Sequence, residues 1–88
     1  MKLTLIGGGG VRSPLFVMSL LNWQSKVRID ELCLMDIDAH KLDIFSALGR
    51  EIVHRAGDPF SITTTTDPRT ALAGADYVVT TIRVGFEQ

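Results

Sequence analysis

The amino-acid sequence predicts an α/β domain built on a parallel sheet. Three observations carry that expectation. Short aliphatic or β-branched runs alternate with longer stretches of helical period, the first run stops at four consecutive glycines (residues 7–10), and the helical stretches open on Ser-Pro, Asp or Asp-Pro starts. Alternation of this kind implies parallel strands joined by right-handed helical crossovers.

Each element follows in order. "KLTLI" (residues 2–6) is an aliphatic-rich run ending at the glycines and reads as a strand buried on both faces or nearly so. Ser13 is expected as an N-cap with Pro14 at the first helical position, and the "LFVMSLLNW" that follows is apolar almost all round, so a well-buried helix is expected, with Trp23 packed under its end. "SKVRID" is a polar connection and "ELCLM" (residues 31–35) a second strand. Asp38 is expected to cap a long helix. Leu42, Phe45, Leu48, Ile52 and Ala56 form its apolar stripe at steps of three or four, and Lys41, Glu51 and Arg55 fall on the polar side. Gly57 is expected as the C-cap and Pro59 as the stop. "SITTTT" is β-branched and suggests a third strand near an edge. Asp67-Pro68 opens a short helix, "PRTALAG", closed by Gly74, and "DYVVTTIRV" (residues 76–84) is the fourth strand.

If the sheet is doubly wound, the first strand is central, the second and third lie on one side of it and the fourth on the other, giving the order 3-2-1-4 with flanking helices. A crevice then opens at the switch point between the first and fourth strands, outside their carboxyl ends. The glycine run and "TTIRVG" both lie there. A bare edge at the third or fourth strand invites dimerisation or swapping.

Composition narrows the functional classes. The chain has 88 residues, 45% hydrophobic and 22% charged, which suits one globular domain at most. A net charge of −1 offers no basic field, so no nucleic-acid partner is expected. The lone Cys33 excludes an internal disulfide framework and any multi-cysteine metal site, and its apolar neighbours make it a small buried hydrophobe. No apolar stretch approaches the roughly 18 residues of a membrane span, and the opening "MKLTLIGGGG" is too short an apolar run for a signal peptide, so a cytoplasmic location is expected. There is no nucleophile elbow, no HExxH and no Walker lysine. His40 and His54 fall on the outer part of the long helix and read as solvated.

What remains is a Rossmann-like nucleotide site in partial form. Gly7-x-Gly9 follows a strand and precedes a helix. Gly7 would make the tight turn, Gly9 would let a pyrophosphate approach without meeting a Cβ, and the next helix would aim free N–H groups at the phosphates. The usual third glycine falls at Arg12; shifting the frame to Gly8 and Gly10 places Ser13 there instead. Asp36 ends the second strand, 24 residues past Arg12 (36 − 12), near the ~20 expected for an acid that binds ribose hydroxyls. A carboxylate there repels a 2′-phosphate and favours NAD over NADP; Asp38 reads mainly as a helix cap. Arg12 is either a phosphate ligand or a solvated arginine. Arg83 emerges where the sheet opens to the crevice, where a fixed cation suits an anionic substrate or the pyrophosphate; the other reading is an edge arginine in an ion pair. Thr80 and Thr81 offer hydroxyls to the cofactor, or serve only as strand formers.

"LTLIGGGGVRSP", "LMDID" and "DYVVTTIRVG" together resemble the amino-terminal segment of the NAD-dependent family 4 glycoside hydrolases, most closely the 6-phospho-β-glucosidase branch. The resemblance implies that Gly7, Gly9 and Asp36 belong to the cofactor site and that Arg83 stands near the active-site mouth beside an anionic sugar phosphate. It further implies glycoside cleavage by transient oxidation at C3, proton abstraction at C2 and elimination, with a divalent metal, typically manganese, whose ligands would lie beyond Gln88. Residues 1–88 would then be the amino-terminal part of an NAD-binding domain, inactive alone, in a protein that forms a homo-oligomer. The family commonly has a further glycine where Phe86 follows Val84-Gly85 here. Two other classes stay open at this point: a segment of an NAD-dependent hydroxy-acid dehydrogenase, and a non-catalytic nucleotide-binding module.

Overall fold

The central strand takes its place because it is apolar on both sides. In the computed structural model, which describes residues 1–7, 13–24, 26 and 28–80, strand β1 (Lys2–Ile6) is buried at Leu3, Thr4 and Leu5. It pairs in parallel with β2 (Glu31–Met35) on one side and β4 (Tyr77–Thr80) on the other, and β2 pairs in parallel with β3 (Ser61–Thr65). The sheet order is therefore β3-β2-β1-β4, as the sequence predicts. Side chains alternate along each strand. Leu3 and Leu5 join Leu32, Leu34 and Ile62 in the larger core, on the face that α1 and α2 cover. Ile6 joins Cys33, Met35 and Ala71 of the short helix α3 on the other. Cys33, 3% exposed, is the small buried hydrophobe expected of it.

Helix α1 spans Ser13–Trp23. Ser13 is thus its first helical residue rather than the residue before it, a shift of one that moves Pro14 to the second position. The expectation of an all-round buried helix is corrected more substantially. Val17 is fully buried, while Leu15 (64%), Met18 (50%) and Trp23 (55%) stand exposed. The helix packs on the sheet and on α2, and among the described residues nothing covers its third side. Among the described residues Trp23 is accordingly not packed under the helix end; the Lys26 ammonium lies 5.1 Å from its ring centroid, a cation–π distance.

Helix α2 (Ala39–Arg55) begins as predicted: Asp38 Oδ1 accepts the N–H of Lys41 at 3.1 Å. Of the predicted stripe Leu42 is buried, but the buried line continues through Ser46, Gly49 and Val53 rather than through Phe45, Leu48, Ile52 and Ala56. Phe45 and Ile52 are half-buried, and Leu48 and Ala56 are exposed. The reason is Gly49. A Cβ there would lie 3.2 Å from Ile62 Cδ1 and 3.4 Å from Val17 Cγ2, so a missing side chain lets α2 approach β3 and α1 along the line that holds Gly49. The helix closes in a Schellman motif: Gly57 N–H donates to His54 O at 3.1 Å and Asp58 N–H to Val53 O at 3.0 Å. The C-cap itself is Ala56, one residue before the predicted Gly57, which follows it at φ +92°.

Helix α3 (Pro68–Leu72) is capped by Asp67, whose carboxylate accepts from Arg69 N–H, and Gly74 follows at φ +70°, both as expected. The buried Thr4 hydroxyl donates to Ala71 O at 2.7 Å and Lys2 Nζ to Ala73 O at 2.8 Å, fastening this helix to β1. The predicted fourth strand over residues 76–84 is seen as β4; its last four positions lie outside the described residues.

Candidate functional site

Three predicted site residues fall at neighbouring strand ends because β1 pairs with both β2 and β4. Ile6 is paired with Met35 on one side and with Thr80 on the other. Gly7 and Asp36 each follow one of those pairing positions, so they stand level with each other at the carboxyl end of the sheet, one residue beyond the row that holds Thr80.

Gly7 has φ +94°, a region that residues with a Cβ rarely enter. Its N–H donates to Met35 O at 2.7 Å, which holds the turn against β2. Asp36 N–H donates to Thr65 O at 3.3 Å, extending the ladder to β3. Asp36 Oδ1 accepts Asp38 N–H at 3.0 Å, an Asx turn, and Asp38 in turn caps α2. The half-buried Asp36 carboxylate is therefore oriented by its own loop at the end of β2. Thr80 is exposed. Gly9, Gly10, Arg12, Thr81 and Arg83 lie outside the described residues.

Helix α1 begins at Ser13 and its first turn contains no acidic residue, so the positive end of its dipole is not neutralised from within the helix. Residues that the sequence reading missed are Met35 and Thr65. They act through main-chain carbonyls, and their only sequence signal is the strand order that makes them neighbours of Gly7 and Asp36. Both histidines are exposed as expected; His54 Nδ1 lies 3.1 Å from Asp58 Oδ2. That pair borders a shallow hollow with Arg50 and Ser61 at the opposite end of the sheet. Among the described residues no cluster of His, Cys, Asp or Glu could hold a metal ion.

The sheet order, the glycine turn at the end of β1 and the acid at the end of β2 define the class, a Rossmann-like α/β domain. The chain belongs to family 4 of the glycosyl hydrolases, whose family model matches residues 2–88. It is 38% identical over 90 residues to a probable 6-phospho-beta-glucosidase of Bacillus subtilis (strain 168), covering 100% of this chain and 20% of that protein. It is 34% identical over 87 residues to the 6-phospho-beta-glucosidase of Escherichia coli (strain K12), covering 97% and 19%. The fold superposes on the 6-phospho-beta glucosidase of Thermotoga maritima, solved with NAD and glucose-6-phosphate, with a TM-score of 0.87, 33% identity and coverage of 97% of this chain and 20% of that one. The chain thus spans about a fifth of the length of the curated relatives it matches.

Proposed function

We propose that residues 1–88 are the amino-terminal part of the NAD-binding domain of a cytoplasmic, homo-oligomeric 6-phospho-β-glucosidase. In this reading Gly7, Gly9 and Gly10 form the turn that receives the pyrophosphate, and Arg12 contacts a phosphate. Asp36 accepts the ribose hydroxyls, Thr80 offers a hydroxyl to the cofactor, and Arg83 faces the sugar phosphate. The observation that carries it is the placement of Asp36, held by its Asx turn one strand away from a glycine at φ +94°. The relatives' names and the NAD and glucose-6-phosphate in the Thermotoga maritima structure support the cofactor and the substrate class.

The described residues fit a dinucleotide: a turn without a side chain, an oriented acid and a helix end with no acid in its first turn. When bound, NAD supplies reversible hydride transfer, which suits cleavage by transient oxidation at C3, proton abstraction at C2 and elimination. The chain's own residues bind and orient the cofactor; none of those described moves a proton in the reaction. A structure of the Thermotoga maritima relative also holds manganese. The described residues do not fit that metal, because Cys33 is 3% exposed within the sheet and no ligand cluster surrounds it. Metal ligands and the catalytic base belong, in this reading, to segments other than these 88 residues.

Calorimetric titration of the chain with NAD and with NADP tests the cofactor reading. NAD should bind and NADP more weakly; equal binding removes the Asp36 assignment, and no binding of either removes the site. The chain alone should not hydrolyse a 6-phosphoglucoside. In a full-length protein, solvent deuterium should appear at C2 of the product sugar; unlabelled product sinks the oxidation–elimination route.

A further inference from the structure

An Asx turn orients a carboxylate only as firmly as the N–H it grips is itself held. Asp36 Oδ1 grips the N–H of Asp38 at 3.0 Å, so the hold on Asp38 decides where the Asp36 carboxylate stands. Among the described residues Ile37, between them, is 87% exposed, and side-chain packing does little to fix the turn. Hydrogen bonds must do it.

Asp38 is fastened to α2 at two points. Its Oδ1 accepts the Lys41 N–H at 3.1 Å while its own backbone stays extended at φ −96° and ψ 96°, the geometry of an N-cap. Its carbonyl accepts the Leu42 N–H at 3.0 Å. Leu42 is 3% exposed and lies in the larger core with Leu32 and Leu34 of β2. A chain of contacts therefore runs from the core through Leu42 and Asp38 to the Asp36 carboxylate. The bond from Asp36 N–H to Thr65 O at 3.3 Å is a main-chain tie, whereas the bond from Asp38 acts on the carboxylate itself.

We propose that Asp38 is a positioning residue for the cofactor: by capping α2 it fixes the N–H that aims the Asp36 carboxylate at the ribose. This rests on the reading of Asp36 as the ribose acid. The effect has a definite sign. NAD carries net negative charge through its pyrophosphate, so removing a nearby carboxylate would, as charge alone, strengthen binding. Loss of aim weakens it. In this role Asp38 acts through Asp36 and needs no contact with the cofactor.

The test is calorimetric titration of the full-length protein with NAD, below the melting temperature of every variant. Asp38→Ala should weaken NAD by about three- to tenfold, the share of a cap's worth that reaches Asp36. Asp38→Asn keeps a capping oxygen without the charge and should bind NAD like the parent. Glycine is almost as good as Asp at an N-cap for stability yet has no capping oxygen, so Asp38→Gly should weaken NAD while melting close to the parent. Gly57→Ala strains the far end of the same helix at φ +92°; it should lower the melting temperature and leave NAD affinity as it was. In a D36A background, D38A should have no further effect on NAD. Parental NAD affinity in both D38A and D38G, a D38N variant as weak as D38A, or an undiminished D38A effect in the D36A background overturns this inference and leaves the ribose reading standing. D36A binding NAD like the parent removes the ribose reading, and this inference with it.

Discussion

The N–H of Gly7 donates to the carbonyl oxygen of Met35 across 2.7 Å while Gly7 itself sits at φ +94°. One hydrogen bond and one backbone conformation therefore fix how the chain leaves β1, and both depend on the same residue. Gly7→Ala forces a Cβ into that conformation, and a loss of about 1–3 kcal/mol in urea unfolding is expected. If the turn also receives the cofactor, NAD affinity falls in parallel. An alanine variant of parental stability would show that the turn tolerates a side chain.

Asp36 serves its own loop and, in the proposed reading, the ribose, and two substitutions separate these duties. Asn keeps an oxygen for the Asp38 N–H; Ala does not. Both variants should weaken NAD by about 1–3 kcal/mol, and both should narrow the preference over NADP. Only Asp36→Ala should also lower thermal stability. NAD affinity unchanged in both variants makes Asp36 a loop residue and nothing more.

Gly49 lies where α2 meets both α1 and β3. Gly49→Val should destabilise by about 1–3 kcal/mol through overpacking against Ile62 and Val17. Gly49→Ala gains helix propensity, up to about 1 kcal/mol, against a contact at 3.2 Å, and should fall near zero. Urea midpoints of the two variants measure both, and a Val variant as stable as the parent would show that the helix can move away.

The Arg50 guanidinium donates to the Ile62 carbonyl, Nε at 3.4 Å and Nη2 at 3.3 Å. Arg50→Ala uncovers that carbonyl on the outer side of β3. Light scattering should then report association that the parent chain does not show.

The ammonium of Met1 pairs with the Asp30 carboxylate. The hydrogen bond to the Asp30 side chain raises the amine above its ordinary 8.0, and the same bond holds Asp30 below its ordinary 3.8. The raised amine contributes stability fully below 8.0 and loses it as pH climbs through the folded value. The lowered carboxyl contributes above 3.8 and loses it as pH falls through its folded value. The pair is exposed, so the effect is small. Melting temperature against pH should show a shallow plateau between those limits, and Asp30→Asn should flatten both flanks.

Strand order and helix starts were legible because they rest on local chemistry. Aliphatic runs, Asp38 and Asp67 as caps, and Gly74 as a stop all act within a few residues of themselves. The buried face of α2 was not legible, because it depends on the gap that Gly49 leaves for Ile62 and Val17, partners that lie 13 residues ahead and 32 behind in the sequence. Trp23 and the outer side of α1 were misread for a related reason: an apolar surface states what it would bury against, not whether anything is there. In the candidate site, Gly7 and Asp36 could be named from spacing, whereas the Asx turn and the carbonyls of Met35 and Thr65 needed the register.

The parallel order has a consequence for synthesis. Strand β1 emerges from the ribosome first, yet its partner on one side, β4, begins only at Tyr77. Until then the nascent chain carries a hydrophobic central strand with one flank open, and no local hairpin can shield it. Closure needs contacts far apart along the chain, which slows folding and lengthens exposure to aggregation. Translation rate and chaperone supply should therefore govern the yield of soluble chain more strongly than they would for a helical bundle of equal length.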